Sequence, residues 1–257
     1  MLSQKPWRAE AVIQLVAGVF VCLSLGVVTA GLLRQAGVAA FKSPDSFANI
    51  LVATLSFQGA AWILIFIFLK LQDMDWRDAF GLRNANLKKA LRLAAGTLAV
   101  ALPVVLGLQY CSGLALERIG WLPEDQRAVE VFANAKSWWL RGYLTFFAMV
   151  LAPVAEEFIF RGVLFPFVKQ LGWPRLAWFG VSFLFALIHL NAPTFVPLFV
   201  LALVFTWLYE KTDCLLAPIA AHSLFNASNL LLLHFQEQIN GLLLKMGHFI
   251  HLMYERI

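Results

Sequence analysis

Five ionisable side chains stand inside long apolar runs of this sequence: Glu156, Glu157, Arg161, His189 and His222. Each such group at mid-membrane costs roughly 2.5–3.5 kcal/mol on insertion scales, so function is the default explanation for its presence. Spacing sorts the five. Glu157 and Arg161 are i,i+4 with the acid first, the favourable order for an intrahelical ion pair, and they are best read as structural. Glu156 has only Ala152, Pro153, Ile159 and Phe160 as helical neighbours, so its partner must come from another helix. Asn226 lies four residues past His222, on the same helix face. A carboxylate beside an imidazole can take a proton from water. Burial alone would push such a carboxyl toward its neutral form, so Glu156 needs His189 or ordered water beside it. An imidazole and a carboxamide, His222 and Asn226, can supply the two donors that a tetrahedral oxyanion requires. The chemistry these residues suit is peptide-bond hydrolysis.

The elements that must position them are membrane helices. The chain has 257 residues, 61% hydrophobic and 14% charged, against roughly 45–50% and 25% in an ordinary soluble domain. Its mean hydropathy is +0.75. These values exclude a water-soluble globule, a disordered chain and a nucleic-acid-binding domain. The expected fold is all-α: a single polytopic membrane domain over 1–257, with a polar pocket inside the membrane. Seven spans fit the apolar runs at about 20 residues each: 11–33, 49–69, 93–116, 138–168, 175–189, 195–209 and 214–233. Residues 1–137 supply the N-terminal spans and loops, 138–233 the helix core that carries the candidate site, and 234–257 a tail. The tail over 239–254 is better read as an interfacial amphipathic helix than as an eighth span. The 138–168 run, about 46 Å long as helix, exceeds a bilayer core of about 30 Å, so it must tilt, kink near Pro153 or protrude.

The net charge of +5 comes from basic residues scattered through short loops, not from a patch. With the N-terminus inside, 11 Lys and Arg fall in cytoplasmic segments against 8 outside, the expected direction of bias. The three cysteines, Cys22, Cys111 and Cys214, lie in or beside separate apolar runs with no CxxC, which speaks against a disulfide or zinc framework. Counted from the shared polar boundary, Glu156 is about 18 Å deep, His189 about 21 Å, and His222 and Asn226 about 12 and 18 Å. Three antiparallel helices can therefore bring these groups to one level.

Glu156–Glu157–Phe158–Ile159–Phe160–Arg161 resembles the EExxxR motif of the CPBP family, the Abi-type CAAX proteases and bacteriocin-processing enzymes. Phe185–Ala186–Leu187–Ile188–His189 is similar to that family's FxxxH motif, and His222–Ser223–Leu224–Phe225–Asn226 to its HxxxN motif. The three occur in the family's order on successive apolar segments, and the resemblance covers about Phe147 to Leu233. It implies a glutamate-dependent intramembrane endopeptidase without a metal or other cofactor. In that scheme Glu156 and His189 activate water, while His222 and Asn226 bind the oxyanion. The implied partners are the bilayer and a membrane-associated protein or peptide, such as a CAAX-like terminus or a leader or sorting peptide. The compact size of the chain suggests a bacterial inner membrane.

Other readings stand beside it. Glu156, His189 and His222 could instead ligate zinc in a membrane metalloprotease, although there is no HExxH and Asn is an uncommon zinc ligand. The same fold could serve as a non-enzymatic scaffold or bacteriocin-immunity protein, with Glu156–His189 and Asn226 as interhelical hydrogen bonds. Asn191 suits a cap, Asn229 suits packing, and His234, His248 and His251 suit solvent or headgroups. A transporter is least supported, because no inverted repeat is visible.

Overall fold

The computed structural model describes residues 2–5, 7–83, 86–121, 126–236 and 241. Among the described residues every regular element is a helix. The helices of eight residues or more are α1 (Ala9–Gln35), α2 (Phe47–Leu71), α3 (Leu87–Arg118), α4 (Arg127–Asn134), α5 (Trp138–Gln170), α6 (Pro174–Leu187), α7 (Ala192–Thr212) and α8 (Leu216–His234). All but α4 and α6 are long and apolar enough to cross a membrane, which makes six candidate spans. Helix α6 coincides with the remaining expected span, but its 14 residues reach only about 21 Å. The interfacial helix expected over 239–254 lies, Gly241 apart, outside the described residues. Large apolar side chains such as Phe20, Val27 and Val100 are more than 70% exposed on their spans, as lipid-facing residues would be.

Two apolar cores divide the bundle. In the first, α1 and α2 pack with α5 and α6 through Val12, Leu15, Ile65, Phe68, Phe158 and Val181. In the second, α3 lies against α7 and α8, where Ala90, Ala94 and Leu98 meet Leu201, Ala217 and Ala221. Small residues at i,i+4 let these backbones approach closely, which favours helix association in lipid. Helix α5 runs along the seam between the two cores.

Two segments that lie between the expected spans hold helical structure of their own. In 72–92, Asp75 caps a helical turn at Trp76–Ala79 through the Arg77 N–H, which also holds its carboxyl below the usual range. That turn drives Ala79 and Phe80 into full burial, and Phe80 meets Trp76 and Phe158 edge-on. In the loop 117–136, α4 forms as a single amphipathic piece. Eight residues are too few for a helix that stands alone; none of its residues is buried, Arg127 pairs with Asp45 and Glu130, and Val129, Val131 and Phe132 face a cavity.

Gly81 closes the first of these connections. Its φ is +69°, and a Cβ there would lie 1.6 Å from the Asp213 carbonyl oxygen, beside the Leu215 N–H to Phe80 O bond of 3.0 Å. Gly81→Ala combines a left-handed backbone penalty with a backbone collision, and should destabilise the protein by at least about 2 kcal/mol. Thermal unfolding in detergent checks this; a transition equal to the parent's would contradict the packing of this loop against the α7–α8 turn.

Candidate active site within the membrane

Helix α5 is 33 residues long, and two π-helical turns, Phe147–Leu151 and Phe158–Leu164, interrupt its α-helical ladder. Each is followed by a proline that lacks an N–H, Pro153 and Pro166. In the first, the Ala152 N–H bonds back to Phe147 O, and the next donor in that register would be the absent N–H of Pro153. The Ala148 carbonyl is thus released, and it accepts from Asn226 Nδ2 on α8 at 2.7 Å. In the second, the absent N–H of Pro166 releases the Gly162 carbonyl, which accepts from Trp7 Nε1 at 3.1 Å. Carbonyls freed inside a membrane protein must find such partners. Here they tie the α5 backbone to α8 and to the segment before α1.

Between the two releases lies the charged cluster. Glu157 and Arg161 are both fully buried, with Arg161 Nη1 donating to Glu157 Oε1 at 3.0 Å. Arg161 Nη2 also donates to the Ala202 carbonyl of α7 at 2.9 Å, and its guanidinium lies 4.5 Å over the Phe185 ring. Glu157 Oε1 accepts a second bond, from His222 Nδ1 at 3.0 Å. That bond turns His222 Nε2 toward Glu156, whose Oε2 is 4.0 Å away. The imidazole is clamped by Phe205, stacked at 5.0 Å, and by the edge of Phe185 at 5.8 Å. Glu156 Oε2 is buried and has no hydrogen-bond partner among the described residues. A buried carboxylate oxygen left open in this way calls for an explanation.

The structure therefore brings Glu156, Glu157, Arg161 and His222 into one cluster, across the seam between the two cores. Asn226 sits one turn further along α8, with its amide on the α5 backbone. His189 lies just past the end of α6, half-buried, with Nδ1 2.8 Å from the Phe185 carbonyl. A carbonyl only accepts, so Nδ1 carries a proton there, and in the neutral tautomer the lone pair lies on Nε2. The imidazole within ion-pair reach of Glu156 is that of His222; His189 makes no hydrogen bond to Glu156. Among the described residues, no three His, Cys, Asp or Glu side chains converge closely enough to hold a metal ion. Asn191 caps α7 by accepting from the Thr194 N–H. Cys214, in the α7–α8 turn, is fully buried, and that burial raises its thiol pKa, so it stays a protonated apolar filler.

Some participants carried no sequence signal. Trp7 stands ahead of the first apolar run, yet it is 3% exposed and bonded to the helix that bears the cluster. Phe205 looks like one lipid-facing aromatic among 23 phenylalanines. Beside the cluster lies a cavity of about 880 Å³ with largely apolar walls. It includes Asn226 in its wall but not Glu156, His189 or His222.

Residues 137–228 match the family model Rce1-like, described as type II CAAX prenyl endopeptidase Rce1-like. No curated protein and no solved structure matches the chain. The matched stretch holds α5 to most of α8, and so all six candidate site residues.

Proposed function

We propose that this integral membrane protein, whose residues 137–228 match the Rce1-like family model, is a CAAX-type protease, a glutamate-dependent endopeptidase that needs no metal. Its substrate on this reading is a membrane-associated protein or peptide with a CAAX-like or leader-type segment. The observation that carries the proposal is the open, buried Oε2 of Glu156, 4.0 Å from an imidazole whose other nitrogen is already fixed. Glu156 takes a proton from water held between it and His189 Nε2. The resulting hydroxide attacks the scissile carbonyl carbon. The C–N bond then breaks as the proton on Glu156 passes to the leaving amine.

Charge counting supports the role of His222. With both nitrogens of His222 carrying protons, two carboxylates, one guanidinium and an imidazolium would sum to zero, and a neutral cluster is far cheaper inside a membrane than a net anion. In that state Nδ1–H is committed to Glu157 and Nε2–H is free to meet an oxyanion. Asn226 gives one amide hydrogen to Ala148 and keeps the other for the same oxygen. The protein would lie in a bacterial inner membrane with its N-terminus in the cytoplasm.

Asn226→Ala tests this arrangement. Loss of an oxyanion donor should lower kcat by about 10²–10³. KM should change little, because the oxyanion exists only in the transition state and intermediates. If the amide serves only to tie α8 to Ala148, the variant loses stability and keeps its turnover per folded molecule. Cleavage of a fluorogenic peptide in detergent, normalised to folded protein, separates these outcomes. Stoichiometric zinc in active protein, or activity lost to a chelator and restored by zinc, would favour a metalloprotease.

A further inference from the structure

The three π-helical turns of the described chain lie on different stretches of sequence but face one space. Phe57 and Gln58, from the turn Leu55–Gly59 of α2, line the cavity beside the cluster. So do Phe147 and Ala148 from the first turn of α5, and Ile159 and Phe160 from the second. Such turns insert one residue into a helix at a local cost and are frequent at functional sites. In this wall Gln58 is the anomaly. It is 5% exposed, it lines the cavity, and its carboxamide makes no hydrogen bond among the described residues. An unpaired carboxamide at membrane depth is expensive unless something arrives to pair with it.

We propose that Gln58 is a substrate-binding residue, whose carboxamide pairs with a main-chain peptide group of a segment seated in this cavity. The inference rests on the endopeptidase reading for the identity of that segment. A carboxamide offers one donor face and one acceptor, the complement of a peptide group. A hydrocarbon chain would leave both unpaired. An extended peptide drawn into the membrane brings N–H and C=O groups that have lost water, and these need partners on the wall. The remaining wall, largely apolar, suits the side chains on either side. Asn226 lies in the same wall, one helical turn from His222, so a segment paired with Gln58 in this cavity runs beside the helix that carries part of the reactive cluster.

The probe is a fluorescently labelled, prenylated CAAX-type peptide, bound in detergent to the Glu156→Gln protein so that cleavage does not intervene. Adding Gln58→Leu, which replaces a buried unpaired group with an apolar one of similar size, should leave the fold at least as stable. It should weaken peptide binding about tenfold, the size of one lost hydrogen bond. In the Glu156 background the same change should raise KM about tenfold and leave kcat within about twofold. A series of peptides with one amide replaced by an ester should show a single position that weakens binding to the parent and not to Gln58→Leu.

Equal peptide affinity before and after the Gln58→Leu change would overturn the assignment. So would farnesol alone binding as tightly as the peptide, with every ester peptide equivalent. Gln58-dependent binding by a protein that never cleaves would keep this assignment and overturn the endopeptidase reading. Glu156-dependent cleavage with Gln58-independent binding would do the reverse.

Discussion

Arg161→Met should be the most destabilising single substitution in the membrane core, at about 3–5 kcal/mol. Arg161 is fully buried and joins three elements: Glu157 on its own helix, the Ala202 carbonyl on α7, and the Phe185 ring on α6. Met can replace the packing volume but not the charge. Glu157 would then stay buried with only His222 to answer it, and an uncompensated buried charge is what makes breaking one side of such a pair so harmful. Glu157→Gln/Arg161→Met should recover much of the loss, because replacing both partners removes the stranded charge. Thermal unfolding of the purified variants in detergent reads both. A single variant as stable as the parent, or a double variant no better than the single, would contradict a structural role for this pair.

The second large effect separates two adjacent carboxylates. Glu156→Gln should reduce cleavage by about 10³-fold or more, within the range that a positioned general base supplies. It should change stability little, since Glu156 Oε2 has no hydrogen bond to lose and His222 can release its second proton to keep the cluster neutral. Glu157→Gln should show the opposite weighting, with stability falling at least as much as activity. If His189 acts with Glu156 on one water, His189→Ala should cost nearly as much as the double variant, because residues that work as a unit are strongly non-additive. Multiplicative losses in the double variant would place His189 outside the proton transfer.

Much of the fold could be read along the chain because the bilayer imposes a strong and simple rule. Each apolar run of span length became a helix, and the overlong run around Pro153 became α5. The form that α5 took was not legible. The sequence allowed tilt, kink or protrusion, whereas the chain uses π-helical turns ahead of Pro153 and Pro166, a choice that depends on Asn226 and Trp7 arriving from elsewhere. Intramembrane charge singled out Glu157, Arg161 and His222, because such residues are expensive enough to be conspicuous. Depth counting could place His222 and Glu156 at a similar level, but not decide which imidazole would face Glu156. That depends on the Glu157 to His222 Nδ1 bond, which rotates the ring. Gln58 was invisible for the reverse reason: one amide in an apolar run resembles ordinary helix packing until the space beside it is known. The helix α4 was missed because its periodicity spans only eight residues within a mixed-charge loop.

The measurement closest to the central claim is single-turnover cleavage of a fluorogenic prenylated peptide in metal-depleted detergent solution, normalised to folded protein. The parent, Glu156→Gln and Glu157→Gln are compared side by side. The account predicts a metal-free parent that cleaves, a Glu156→Gln protein that is folded and at least about 10³-fold slower, and a Glu157→Gln protein whose chief defect is stability. A folded Glu156→Gln protein that cleaves at close to the parental rate would contradict it.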